Sequence, residues 1–223
     1  MLKNYRYIYI ENSKYYKPMK QILLLSILFI STLLPAQDLI GTPSSLIIVY
    51  NYPDAHFYLQ LKGSDKQKTE QENIFIIDNQ LVQAKILNKY KFCKNTKQEL
   101  SFNDFITTYV DWEKDFQEKQ FSKNIHSMLK FLKTNNGRDF GLWIYDMPVV
   151  SRAVTTDTTR TTPVQKQIFV LTRVNDYLVG INCPLLETDN YETIKSYLIT
   201  NIDGIVESDK EIDVEELNKQ VNK

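Results

Sequence analysis

Glycine is scarce. Six glycines in 223 residues are too few for a protein built around glycine-rich phosphate-binding loops, although they leave strands and helices open. Histidine is scarcer still, with only His56 and His126. No Cys-x-x-Cys and no His-x-x-x-His occurs, so the chain lacks the closely spaced nitrogen and sulfur donors that zinc requires. Both histidines read as ordinary strand residues. G-x-S-x-G is missing as well. A nucleophilic site would have to be assembled from distant residues, with His56 or His126 as its imidazole. Excess charge is absent too, at 27 basic against 27 acidic residues. A nucleic-acid partner usually demands a clustered positive face, and this balance argues against one.

What the chain does have is a legible address. Residues 18–37 read "PMKQILLLSILFISTLLPAQ". Lys20 supplies a positive charge, Ile22 to Leu34 is an apolar run, and Pro35-Ala36 provides a helix breaker and a small residue. That order defines a secretory signal peptide. The run falls short of the ~20 apolar residues that span a bilayer comfortably. Cleavage is expected after Ala36 or Gln37, which gives a periplasmic or secreted protein. An uncleaved anchor is the competing reading, and membrane contact would then be confined to this N-terminal segment. Residues 1–18, rich in Tyr and Lys, read as an over-extended start upstream of Met19; a long basic leader is the alternative. Removing residues 1–37 leaves 22 basic and 26 acidic residues, a mild negative balance.

A chain of this size normally makes one domain. Hydrophobic residues make up 43% and charged residues 24%, an ordinary globular composition. "SLIIVYNY" (45–52) reads as a buried strand and "AHFYLQL" (55–61) as a second, alternating one. "GSDKQKTEQEN" (63–73) reads as a solvated loop. "IFII" and "LVQAKILNKYKF" flank Asp78-Asn79 as a hairpin, with Ile86, Tyr90 and Phe92 assigned to one face. Ser101 opens a helix whose stripe is Phe105, Tyr109, Trp112 and Phe116, fading near Lys119. "IHSMLKFLK" and "FGLWIY" flank an Asn-Gly turn. "TTDTTRTTP" (155–163) reads as a loop. "QIFVLTRV" and "YLVGINCPL" flank Asn175-Asp176 as another hairpin. A last helix is expected from Asp189 as cap, with Ile194, Leu198 and Ile202 buried. Residues 207–223 are expected to form a flexible polar tail.

Hairpins mean antiparallel pairing, and helices that bury one stripe must lie on the sheet. The fold class is therefore α+β: a single domain, residues 38–206, with an antiparallel sheet built from hairpins and two main helices packed on it. In this element order, residues 44–206 resemble the PsbP/Mog1-like family of small α/β sandwiches. The resemblance implies a curved antiparallel sheet flanked by helices. It rests on no residue motif and carries over no functional residue.

Candidate chemistry is sparse. Asp111 with Asp115, and Glu113 with Glu118, are paired carboxylates on one helix; a general-acid pair would need a cleft and a shifted pKa, and a solvated helix face explains them with nothing left over. Trp143 and Tyr145 share a strand face, with Leu142 and Ile144 on the other. This reads either as a two-sided core or as the aromatic wall of a groove. Cys93 and Cys183 either bridge, as an oxidising compartment permits, or pack as separate thiols. No catalytic residue, metal or cofactor is indicated. The functional expectation is an exported, non-catalytic binding or accessory domain of the cell envelope, with an envelope protein or a small ligand as its partner. A hydrolase whose site forms only in three dimensions is the alternative.

Overall fold

Short apolar runs separated by tight turns pair as antiparallel strands along most of the chain. The computed structural model describes residues 37–94, 99–148 and 164–223. The smaller of two sheets contains β1 (Asp38–Gly41), β2 (Ser45–Tyr52), β3 (Ala55–Lys62) and β11 (Val206–Ser208), in the order β1-β2-β3-β11. The larger contains β4 (Lys66–Lys68), β5 (Ile74–Ile77), β6 (Gln80–Asn88), β7 (Ser127–Lys133), β8 (Asp139–Asp146), β9 (Val164–Val174) and β10 (Tyr177–Leu186). Its order is β4-β5-β6-β10-β9-β8-β7. Three α-helices complete the described residues: α1 (Phe102–Phe121), α2 (Tyr191–Asp203) and α3 (Val214–Val221).

The turns follow their residues. Asp78 and Asn79 both take positive φ between the paired Ile77 and Gln80. This is the two-residue hairpin geometry whose twist suits the flanking strands. Asn175 does likewise between Val174 and Tyr177.

Alternation along the central strands divides the core. Val82, Ala84, Ile86, Leu142, Ile144, Val170, Val179 and Ile181 face the small sheet and α2, together with Phe57, Leu59, Leu198 and Ile202. The other face of the large sheet meets α1 through Leu87, Trp143, Phe169, Leu171 and Leu178, against Phe105, Ile106 and Tyr109. Helix α1 lies close because Gly141 of β8 has no side chain; a Cβ there would sit 2.7 Å from Ile106 Cγ2. A third cluster covers the outer face of the small sheet, where α3 lays Val214, Leu217 and Val221 on Ile40, Ile47 and Val49. The layers run α3, small sheet with α2 beside it, large sheet, α1.

The α+β class and the antiparallel hairpins stand, with two sheets in place of one. Several finer expectations are corrected. The segment 63–73 contains β4, paired with β5. Strand β6 stops at Asn88, whose side chain caps a single 3-10 turn, Lys89–Lys91. Tyr90 is therefore exposed, while Ile86 and Phe92 join opposite sides of the sheet. Asn190, not Asp189, caps α2, accepting from Thr193 N, while Asp189 accepts from Leu186 N. The expected tail is instead β11 and α3. Its few apolar residues recur at i, i+3 and i+7, which is enough for one helical stripe, and Asn51 exchanges two hydrogen bonds with Ile212 to hold its approach. The signal segment up to Ala36 and the loop 155–163 lie outside the described residues.

A polar cleft under the C-terminal half of helix α1

The α1-facing side of the large sheet changes character along its strands. Under the N-terminal half of the helix it is apolar, with Leu87, Leu171 and Leu178. Under the C-terminal half the same alternation brings up Gln83 and Lys85 from β6, Gln167 from β9 and Asn182 from β10. The helix answers with Glu113 and Gln117, one turn apart and both buried. Between them lies a cleft rimmed by Phe121, Tyr145, Met147, Val164 and Phe169. It holds about 30 Å³, room for one water-sized polar group.

One ion pair anchors the cleft. Lys85 Nζ donates to Glu113 Oε2 at 2.7 Å. Gln117 Nε2 donates to Oε1 at 2.8 Å, and Tyr109 Oη donates to Oε2 at 3.3 Å. Burial alone would raise the Glu113 pKa. The adjacent Lys85 ammonium and the three donated bonds outweigh it and hold the carboxyl below its usual range. Glu113 thus stays ionised and neutralised, a poor general acid.

Two acceptors in the cleft lack donors. Asn182 Nδ2 donates to Gln167 Oε1 at 3.4 Å, but Asn182 Oδ1 and Gln117 Oε1 are buried without a partner. Gln117 is 2% exposed and Asn182 6%. Seven buried side-chain polar atoms stand without partners among the described residues, and these two line the same cleft. An unmet acceptor of this kind costs about 1–3 kcal/mol, so the cleft favours any group that brings hydrogen-bond donors.

Asp111 and Asp115 are exposed and take no part in the cleft. Glu118 accepts from Ile125 N. Trp143 is wholly buried, packed on Phe169 at 4.8 Å between ring centroids, while Tyr145 also lines the cleft. The two readings of that strand therefore hold for different residues. His56 sits on β3 in the small sheet and His126 is exposed just before β7, neither beside the cleft. The Cys93–Cys183 bridge is not formed; both thiols are free and buried. Asn88 pairs with Tyr177, so Cys93 lies beyond that end of β10 while Cys183 is six residues along it, roughly 20 Å away at ~3.4 Å per residue. Burial pushes both thiols' pKa up, which leaves them unreactive. Gln37 begins the described residues, before β1.

The carriers of the cleft went unmarked in the sequence for a specific reason. Two stripes of identical spacing run along α1, one residue apart. The aromatic one stands out in the sequence, but burial follows Ile106, Val110, Glu113 and Gln117 as well as Phe105 and Tyr109. The facing polar alternation Gln83-x-Lys85 on β6 is the signal that would have located them.

Fold and cleft together define a small antiparallel α+β sandwich with a polar niche under one helix. No model of a known protein family matches the chain, and no curated protein matches it. In structure it is similar to the solution structure of cyanobacterial PsbP from Synechocystis sp. PCC 6803, with a TM-score of 0.46 and 12% identity, over 78% of this chain and 98% of that one. The resemblance read from element order thus has a weak structural counterpart. No helix among the described residues is long and apolar enough to cross a membrane.

Proposed function

We propose that this chain is an exported, non-catalytic binding domain of the cell envelope, and that the cleft beneath α1 receives the polar head of a small ligand. The observation that carries this is the pair of donorless acceptors, Gln117 Oε1 and Asn182 Oδ1, on two residues that line one cleft. Beside them, Lys85 and Glu113 already satisfy each other. Groups arranged so can hold and orient a donor-bearing ligand such as an amine, an amide or a hydroxyl compound. They offer no activated nucleophile, because the one carboxylate is neutralised and both thiols lie elsewhere. The export half of the reading rests on the charged start, apolar run and Pro-Ala exit of residues 18–37.

The test is thermal unfolding of the mature chain against a panel of small amines, primary amides and polyols, for wild type and Gln117→Leu. A ligand that binds only the native state raises the melting temperature with its concentration. The expected result is a dose-dependent rise for at least one class, lost in Gln117→Leu. A panel without effect on the wild type, or an equal rise in the variant, overturns the cleft as the site.

A further inference from the structure

Among the described residues four strand edges close the two sheets, and three of them are short. β1 has four residues, and β4 and β11 have three each. Short edges are one of the ways proteins prevent unwanted strand pairing. β7 is different. It offers seven residues, Ser127–Lys133, paired on one side only among the described residues. It is also apolar where it is open, with Met128 41% exposed, Phe131 37% and Leu132 43%. These are three of the five large hydrophobic side chains exposed among the described residues.

Charge selects the occupant. From Lys119 to Arg138 the chain carries five basic residues and no acidic one. Lys133 is tied to Asp139 and Arg138 to Glu207, but Lys130 stands exposed at the middle of the strand, between Met128 and Leu132. A second copy pairing antiparallel about that centre would set Lys130 against Lys130, and like charges directly opposed are destabilising. An acidic residue opposite Lys130 reverses the sign.

We propose that the free edge of β7 is a docking site for an extended, acidic strand of another protein, added antiparallel to the seven-stranded sheet. Backbone hydrogen bonds would supply the pairing, and alternate side chains the selection. The partner strand carries a carboxylate opposite Lys130 and apolar residues opposite Met128, Phe131 and Leu132. This surface is separate from the cleft under α1, so either can fail without the other.

The test uses the mature chain and the synthetic peptide Glu-Val-Val-Glu-Val-Val-Thr, whose register sets its fourth residue against Lys130. A control peptide carries lysine at both acidic positions. Amide hydrogen exchange is read across the protein, binding by fluorescence anisotropy, and mass by sedimentation. The expected result is new protection confined to alternate amides of β7, a monomeric protein before addition, and binding at least tenfold weaker for the lysine peptide and for Lys130→Glu. Equal binding of the two peptides, no protection in β7, or a dimer that buries β7 in the free protein overturns the proposal.

Discussion

Replacing Lys85 with methionine removes the ammonium and keeps most of the side-chain volume. Glu113 is left with its side chain 5% exposed and its nearest positive charge, at 2.7 Å, gone. Breaking a buried pair from one side typically costs about 3–5 kcal/mol, because the survivor keeps its desolvation penalty. Gln117 and Tyr109 still donate to Glu113, so the expected loss lies at the lower end, about 3 kcal/mol at pH 7. The double variant Lys85→Met/Glu113→Leu removes both charges and should recover most of that loss. The pH dependence has a definite sign. In the wild type the Glu113 pKa is depressed, so its contribution is present above the unfolded carboxyl value of ~4.3 and is lost as pH falls through the lower folded value. In Lys85→Met burial dominates and raises the carboxyl above the unfolded value. Its penalty then shrinks as the pH falls through that raised value, and the gap to wild type narrows. Urea melts of the three proteins at pH 7 and under mildly acidic conditions are the assay. A loss below about 1 kcal/mol for Lys85→Met, with the same deficit at every pH, would refute the buried-pair account.

Other consequences are simpler. Tyr109 is wholly buried whereas Trp112 is only half-buried, so Tyr109→Ala should cost about 3–5 kcal/mol in denaturant melts and Trp112→Ala clearly less. Thiol labelling of the unfolded, unreduced mature protein should find two reactive cysteines per chain, and none in the folded state on the same timescale. Intact mass of the exported protein should place the N-terminus at Gln37 or Asp38; a mass that retains Met19 to Leu34 would identify an anchor instead.

Most of the sheet was legible because alternation and turn chemistry agree along the chain. Ser45–Tyr52 and the hairpins at Asp78-Asn79 and Asn175-Asp176 needed no tertiary information. The two clear helices followed from Ser101 as cap and from Ile194, Leu198 and Ile202. The division into two sheets was not legible, since paired residues of β6 and β10 are 89 to 99 positions apart and nothing local specifies their pairing. Nor was α3, whose stripe of three apolar residues gains meaning only once Ile40, Ile47 and Val49 are known to need cover. The cleft hid for a related reason. Glu113 on a helix beside Lys114 and Asp115 looks solvated until Lys85 of a distant strand is found 2.7 Å away. Tertiary context, not local propensity, buried it.

The most direct measurement of the central claim is a ¹H–¹⁵N spectrum of the mature chain, followed through the side-chain amides of Gln117, Gln167 and Asn182. Titration with the amine, amide or polyol that stabilises the protein should shift these three resonances first and saturably, with Glu113 still ionised. Shifts that begin elsewhere, on β7 or on the outer face of α3, while these three amides stay fixed, would contradict the assignment of the cleft as the ligand site.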